Sequence, residues 1–353
     1  MHRLGICIAG LNGAVASTIV AGTSLIRQGN ASSQGLLSEP WSDRLDLVGL
    51  DQFVFGGWDV RGENLLEAAI RHAVLDPRQL QTVAKPLARV LPWKAPHRRS
   101  AADYLRIVKD IETFRKRNQL ETVIVINLLP TGQHAASKVY AQAAAKAGCA
   151  FINFTPNDCG ERALSGIPYC GRDGKTGQTW LKSVLAPALR ARALRVTGWY
   201  STNLLGNADG RVVSDPTWGK SKIDSKSRLL GDILGYEPHH VVQINFYPPR
   251  GDNKESWDSI DFEGFLGLPM QIKINGLWRD SILAAPMCID LVRFMELAVR
   301  RGERGPQEWL GLYFKSPYTR AVSTKPIHEF HNQEQMLRQY LAQAAKNEGT
   351  DSR

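Results

Sequence analysis

Leu4 to Ala9 is a short apolar run of the buried-strand type, and Gly10-Leu11-Asn12-Gly13 follows it at once. Small and apolar residues then continue to Ile26. Strand, glycine turn and helix in this order make the first unit of a dinucleotide-binding fold. The glycines let backbone N–H groups approach a pyrophosphate at the helix N-terminus. Gly10, Asn12, Gly13 and Ala14 are therefore the expected pyrophosphate turn. The spacing is G-x-x-G and not G-x-G-x-x-G, so a merely tight βα turn satisfies the same residues.

Further units of the same kind follow. An apolar run enters Gly56-Gly57 and ends on the polar tip Asp59, a second strand running into a ligand-side loop. Apolar residues at 104, 105, 107, 108, 111 and 114 predict an amphipathic helix. Val123 to Leu128 reads as a parallel-sheet strand. His134–Ala147 is an alanine-rich helix, and Cys149–Phe154 is the next strand. Asn153, Thr155 and Asn157 then fall at a strand's carboxyl end, where open α/β sheets bind ligands. Leu45 to Leu50 is a further candidate strand.

A chain of 353 residues exceeds what one hydrophobic core serves, so two domains are expected. The formal charge of +10 favours anionic partners, but the excess is spread along the chain. Residues 85–100 are basic around Trp93, yet Pro86, Pro92 and Pro96 make them a surface connection and not a nucleic-acid site. No apolar run is long enough to span a bilayer, so no membrane partner is expected. Five cysteines without ligand-like spacing fit a reduced, cytoplasmic protein. His328 and His331 lie three apart with no third ligand nearby, so no metal is expected. Gly171 to Thr179, GRDGKTGQT, lacks the first glycine of a phosphate-binding G-x-x-x-x-G-K-[ST] loop. It reads as a polar loop opening a helix that runs from near Trp180 to about Leu194.

A basic stretch lies beyond that helix and a short strand, Val196–Thr202. Lys220, Lys222 and Lys226 fall within seven residues, with Asp209 and Asp224 close by. On a helix, Lys222 and Lys226 are i,i+4 and share a face. Two ammonium groups there repel unless an anion sits between them, and a phosphorylated small molecule supplies one; an exposed, solvated lysine pair is the plainer reading. From Val241 the pattern alternates and becomes β-rich, residues 248–254 read as a turn, and Met270 to Asn275 alternates again. Asp280-Ser281 opens a helix to Arg300, Leu310 to Phe314 is a candidate strand, and Asn332–Ala344 is the terminal helix.

Ordered along nearly the whole chain, several of these segments resemble the inositol-phosphate synthase family. They are GLNGAVAST at 10–18, FVFGGWD at 53–59, GKTGQT at 174–179 and NLLGNADG at 203–210. SKIDSKS at 221–227, GDNK at 251–254, DSILAAP at 280–286 and LYFKSP at 312–317 complete the set. Ala208 stands where the family usually has asparagine, and NGLWR at 275–279 where a histidine–asparagine pair is common. The resemblance implies a redox-neutral cyclisation of glucose 6-phosphate to myo-inositol phosphate, serving inositol and phospholipid biosynthesis, with tightly held NAD. The open-chain sugar phosphate is oxidised at C5, the ketone acidifies C6, the C6 enolate attacks the C1 aldehyde, and the returned hydride completes the product.

By resemblance the catalytic set is Lys222, Lys226, Lys254 and Lys315 with Asp173, Asp209 and Asp280. The cofactor set is Gly10, Asn12, Gly13, Ala14, Asp59, Asn127, Thr155, Asp173 and Asp209. Lys222 with Asp280 is assigned the C5 hydroxyl proton, Lys315 the C1 oxygen, and Lys226 and Lys254 the phosphate and enolate charge. The implied fold is α/β: a Rossmann-like NAD-binding domain from both chain ends, residues 1–200 and 305–353. An inserted α+β catalytic and oligomerisation domain takes 201–304, and assembly is a homotetramer. The competing readings are an NAD-dependent sugar-phosphate or polyol dehydrogenase, a cyclase of the same family acting on a different sugar phosphate, and an NAD-binding protein with a decayed site.

Overall fold

The computed structural model describes residues 3–96, 101–206, 229–321 and 324–351. The chain forms two compact units, one of residues 1–174, 284–326 and 336–353 and the other of 175–283 and 327–335. They divide at 174 and 284, where the sequence had suggested 200 and 304. The helix 177–191 and the strand that follows it bury Ala186, Leu189, Val196 and Trp199 with the second unit's apolar residues. Most of the helix 280–300 belongs to the first unit.

The first unit begins β1 (Leu4–Ala9), α1 (Ala14–Arg27), β2 (Phe53–Asp59), α2 (Leu65–His72), α3 (Pro77–Thr82), α4 (Ala84–Ala88) and β3 (Trp93–Lys94). It continues α5 (Ala101–Asn118), β4 (Thr122–Asn127), α6 (His134–Lys146), β5 (Ala150–Asn153) and β6 (Pro168–Gly171). The second unit contributes α7 (Gly177–Ala191), β7 (Arg195–Leu205), β8 (His239–Phe246), β9 (Asn253–Glu263) and β10 (Pro269–Arg279). After them come α8 (Asp280–Arg300), β11 (Gly305–Pro306) and α9 (Phe330–Asp351).

The first sheet has the order β11-β6-β5-β4-β1-β2-β3, and every pairing in it is parallel. From β3 to β6 this is the doubly wound order of dinucleotide-binding domains. β1 is central and buried at all its positions, which its apolar run anticipates. Gly57 pairs with Ile8, and a Cβ there would lie 2.1 Å from the Ile8 carbonyl oxygen. A glycine is thus required for β1 and β2 to pair at this point. Trp58 packs edge-on to Trp93 and beside Tyr140, and its indole N–H donates to Asp110 at 2.8 Å.

The second sheet has the order β10-β9-β7-β8, with β7 and β8 parallel and the other pairs antiparallel. β9 was not anticipated, because its inward positions begin with Ser256 and Asp258 before Ile260 and Phe262. Leu310 to Phe314, a candidate strand by sequence, is mostly a tight 3-10 turn over Glu308–Tyr313. Leu45 to Leu50 is irregular chain leading into a short 3-10 turn and not a strand.

Within α8, Asp290, Arg293 and Glu296 are all buried. Asp290 accepts the backbone N–H groups of Leu37 and Ser38, each at 2.9 Å, and the Tyr313 hydroxyl at 3.2 Å. Arg293 donates to the Val48 carbonyl and the Ser38 hydroxyl. The long connection after α1 is therefore held by charge-assisted hydrogen bonds to one helix face. Replacing Asp290 with asparagine puts an amide N–H₂ where an acceptor is needed. The expected cost is about 1–3 kcal/mol of unfolding free energy. Urea denaturation of the variant measures it, and a change within about 0.5 kcal/mol, the ordinary scatter of surface substitutions, would contradict the clamp.

Candidate active site

The turn between β1 and α1 follows a strand whose carboxyl end is level with those of its neighbours. Gly10 has φ +89, and a Cβ on it would lie 3.0 Å from the Leu128 carbonyl oxygen. The Gly10 and Leu11 N–H groups both donate to the Trp58 carbonyl, and Gly13 donates back to Gly10. Gly13 is the N-cap of α1, has no side chain to cap the helix, and is followed by no acidic residue in the first turn. An uncapped helix start of this kind suits a pyrophosphate. Asn12 is 2% exposed, and its Oδ1 is buried without a hydrogen-bond partner among the described residues. The residues present fit a dinucleotide here, whose pyrophosphate would be met by the N–H groups of Ala14 and the rest of the first turn.

Asp59 closes β2, and its two oxygens accept the N–H groups of Asn12 at 2.9 Å and Arg61 at 3.0 Å. Asn127 and Thr155 come together at the ends of β4 and β5, inside the protein. The Asn127 amide donates to Ser137 Oγ, Asn153 Oδ1 and Thr155 Oγ1 at 3.1, 3.1 and 3.2 Å. Asn153 in turn donates to the Tyr318 hydroxyl at 3.0 Å, a residue that no sequence signal singled out.

Asp173 has φ +63 and meets the segment after the 3-10 turn. Its carbonyl accepts the Lys315 N–H at 2.7 Å, and its carboxylate accepts Lys315 Nζ at 2.9 Å. Both side chains are only partly exposed, at 14% and 22%. Backbone and side chain thus fix together two residues far apart in sequence.

In the second unit, Lys254 Nζ lies 3.3 Å from Asp280 Oδ2. A Cβ added at Gly177 would be 3.7 Å from Lys254 Nζ and 3.8 Å from Asp280 Oδ1, so the start of α7 abuts this ion pair. Thr176, the N-cap of α7, makes no side-chain cap. The helix start thus faces both members of the pair, the ammonium and the carboxylate. Asp252 accepts the Ser281 hydroxyl at 2.9 Å, and its carboxyl is pushed up chiefly by burial. That acid, next to Asp280 in space, was not found from sequence. Asp209, Lys222 and Lys226 lie outside the described residues. No cluster of metal-binding side chains occurs among the described residues.

Behind the start of α7 is a buried polar network. Gln178 donates to Asp258 at 2.8 Å and accepts from Asn203 at 2.7 Å. Asp258 also accepts from Trp199 Nε1 and Ser201 Oγ. One turn on, Lys182 Nζ is 2.7 Å from His240 Nε2 and lies over the Trp199 ring. Lys175 donates to Gln333. Burial lowers both lysines to about 7, against the nearby Asp258 carboxylate in the case of Lys182. The i,i+4 spacing of Gln178 and Lys182 was the available signal for this network.

Between about pH 7 and the unfolded lysine pKa near 10.4, the unfolded chain binds more protons than the folded one at these two positions. Their contribution therefore makes stability rise with pH across that window and stay flat below it. Lys182→Met should reduce the slope of unfolding free energy against pH between 7 and 9.5 in urea titrations. An unchanged slope would show that Lys182 keeps its proton in the folded state.

Two family models described as myo-inositol-1-phosphate synthase match this chain, an NAD-binding one over residues 23–136 and a second over 177–281. The chain is 36% identical to inositol-3-phosphate synthase 1 of Bacteroides thetaiotaomicron over 96% of its own length and 95% of that protein. It is 30% identical to the inositol-3-phosphate synthase of Spirodela polyrhiza, over 84% of this chain and 75% of that one. The fold is shared with the crystal structure of a Caenorhabditis elegans inositol-3-phosphate synthase. There the TM-score is 0.89 at 22% identity, over 98% of this chain and 86% of the other. With the doubly wound sheet, the dinucleotide turn and this similarity over nearly the full length, the chain belongs to the inositol-3-phosphate synthase family.

Proposed function

We propose that this protein is an NAD-dependent cyclase that converts glucose 6-phosphate into myo-inositol phosphate. The observation that carries the reading is the pairing of lysines with acids at the positions implied by the family resemblance. Lys315 is fixed by Asp173, and Lys254 by Asp280, the first residue of α8, beside the start of α7. When bound, NAD would supply both a hydride acceptor and, later, the hydride donor, so the conversion would need no net oxidant.

An enolate and an aldol alkoxide both develop negative charge, and preorganised cations lower its cost most where water is scarce. Lys315 is assigned to the oxygen at C1, where the alkoxide forms on ring closure. Lys254 and the uncapped start of α7 are assigned to the phosphate, with Lys226 supporting phosphate and enolate charge. Lys222 and Asp280 are assigned the C5 hydroxyl proton, and Asp173 and Asp209 are assigned to both the cofactor and the catalytic sets. Asn127 and Thr155 are assigned to shaping the strand ends against which the dinucleotide lies, and Asp59 to the adenosine end.

A homotetramer is part of the same proposal. Trp257, Met270 and Leu277 are exposed on strands of the second sheet, with Phe265, Leu266 and Leu268 exposed on the turn between β9 and β10. Apolar surface of this extent favours burial between subunits. A reducing, cytoplasmic setting is supported by five free cysteines, all buried.

Incubation with glucose 6-phosphate and catalytic NAD, followed by carbon and phosphorus NMR, tests the activity directly. Inositol phosphate without accumulating NADH is expected, and stoichiometric NADH would identify a dehydrogenase instead. Lys315→Met should lower kcat by at least ~100-fold, the scale of a positioned charged group. Lys254→Met should raise KM for the sugar phosphate as well, because its assigned partner is present in the ground state. Near-parental kinetics in both variants would remove the lysine assignments.

A further inference from the structure

The N–H groups of the four turn residues between β1 and α1 are all taken by acceptors within the protein. Those of Gly10 and Leu11 go to the Trp58 carbonyl, that of Gly13 to Gly10, and that of Asn12 to the Asp59 carboxylate. Donors for a pyrophosphate must then come from the first turn of α1, and binding depends on where that helix start is held. Asn12, one residue before the N-cap, is the point at which it is held.

The Asn12 side-chain amide donates to the Glu63 carbonyl at 2.8 Å and the Arg61 carbonyl at 3.3 Å. Its backbone carbonyl accepts Arg71 Nη2 at 3.1 Å and lies 2.8 Å from His72 Nε2. With a hydrogen on Nε2 the imidazole donates to that carbonyl, the shorter of the two contacts this nitrogen makes, the other being Arg71 Nη1 at 3.1 Å. Burial lowers the His72 pKa, against the Asn12 hydrogen bond that raises it, so the ring donates as a neutral group near pH 7. Arg71 is itself held by Glu63, with Nε 3.0 Å from Oε1. Both residues end α2, whose start is fixed by the reciprocal Asn64–Glu67 capping box. The helix α2 is a short strut, rooted after the end of β2, whose last turn clamps the cofactor turn.

We propose that His72 and Arg71 are positioning residues for NAD, acting through the Asn12 carbonyl and without touching the cofactor's reacting atoms. The proposal rests on the NAD reading of the β1–α1 turn, which binding by the parent protein tests separately. Neither residue lies in the set implied by the family resemblance, and no charge motif in the sequence points to them.

The test uses cofactor-free full-length protein and calorimetric titration with NAD, well below the unfolding midpoint of every variant. His72→Leu removes the donor and should weaken NAD binding ~10-fold, the scale of a lost buried hydrogen bond. His72→Gln can bring a side-chain amide N–H to the Nε2 position and should remain within ~3-fold of the parent. Hydrogen exchange of amides 11–16 should be faster in His72→Leu and parental in His72→Gln, whether or not NAD is present. Arg71→Met, which leaves the imidazole in place, should weaken binding ~3-fold or more and serves as the second reading should His72→Leu fail to fold. Lowered melting temperatures with unchanged NAD affinity and unchanged exchange at 11–16 would reduce the pair to a structural role. Equal losses in the leucine and glutamine variants would also overturn the proposal. A parent protein that binds no NAD would instead reject the cofactor reading, with the exchange comparison still deciding whether His72 holds the turn.

Discussion

The first unit depends on the pairing of β1 with a parallel neighbour on each side. Ala9 is opposite Trp58 in β2 and Asn127 in β4, and Asn127 is opposite Asn153 in β5. Side chains and turns following these positions are thereby brought to one edge of the sheet. Gly10, Asp59, Asn127 and Thr155 gather there because the strands end level. Gly57 makes the arrangement possible, since any side chain at that position would collide with the β1 backbone. A residue far from the chemistry in role thus sets the spacing on which a dinucleotide site depends.

Buried polar groups then decide which local geometry each loop adopts. Unpaired, they would cost several kcal/mol each, and where they find partners, as at the strand ends and behind α7, the partners fix the chain. Asn127, Asn153 and Thr155 satisfy one another at the strand ends. In the second unit, Asp258 is held by neutral donors from Gln178, Trp199 and Ser201, and this ties α7 to β7 and β9. The result is a helix start at Gly177 held against the Lys254–Asp280 pair. Charge is thus presented to solvent-facing groups by a frame whose own polar atoms are turned inward.

The pairing of Lys315 with Asp173 is built by the backbone of the first unit. The two are 142 residues apart, yet the backbone ladder between residues 172–174 and 314–316 leaves their side chains within hydrogen-bond distance. A cation held by an adjacent carboxylate is preorganised, and the advantage of preorganisation is that little rearrangement is needed when charge forms on substrate. The same logic applies to Lys254 with Asp280 at the opening of α8.

Much of the architecture was legible in the chain because apolar periodicity is local. The β1–turn–α1 unit, α5, β4, α6 and the limits of α8 all follow from runs or repeats within one element. The motif order also pointed to the family. Tertiary structure decided what periodicity cannot express. β9 carries Ser256 and Asp258 on its inward face, so its alternation is invisible until their partners Trp278, Gln178, Trp199 and Ser201 are in place. Residues 308–313 are apolar like a strand but close into a 3-10 turn, with Trp309 stacked on Tyr340. The basic character of Lys175 and Lys182 was plain from sequence, but their burial and lowered pKa values were not. Sequence determines which groups are available and how each short segment repeats. Only the packed fold determines which of those groups lose water, and that loss sets their charge, their partners and their use.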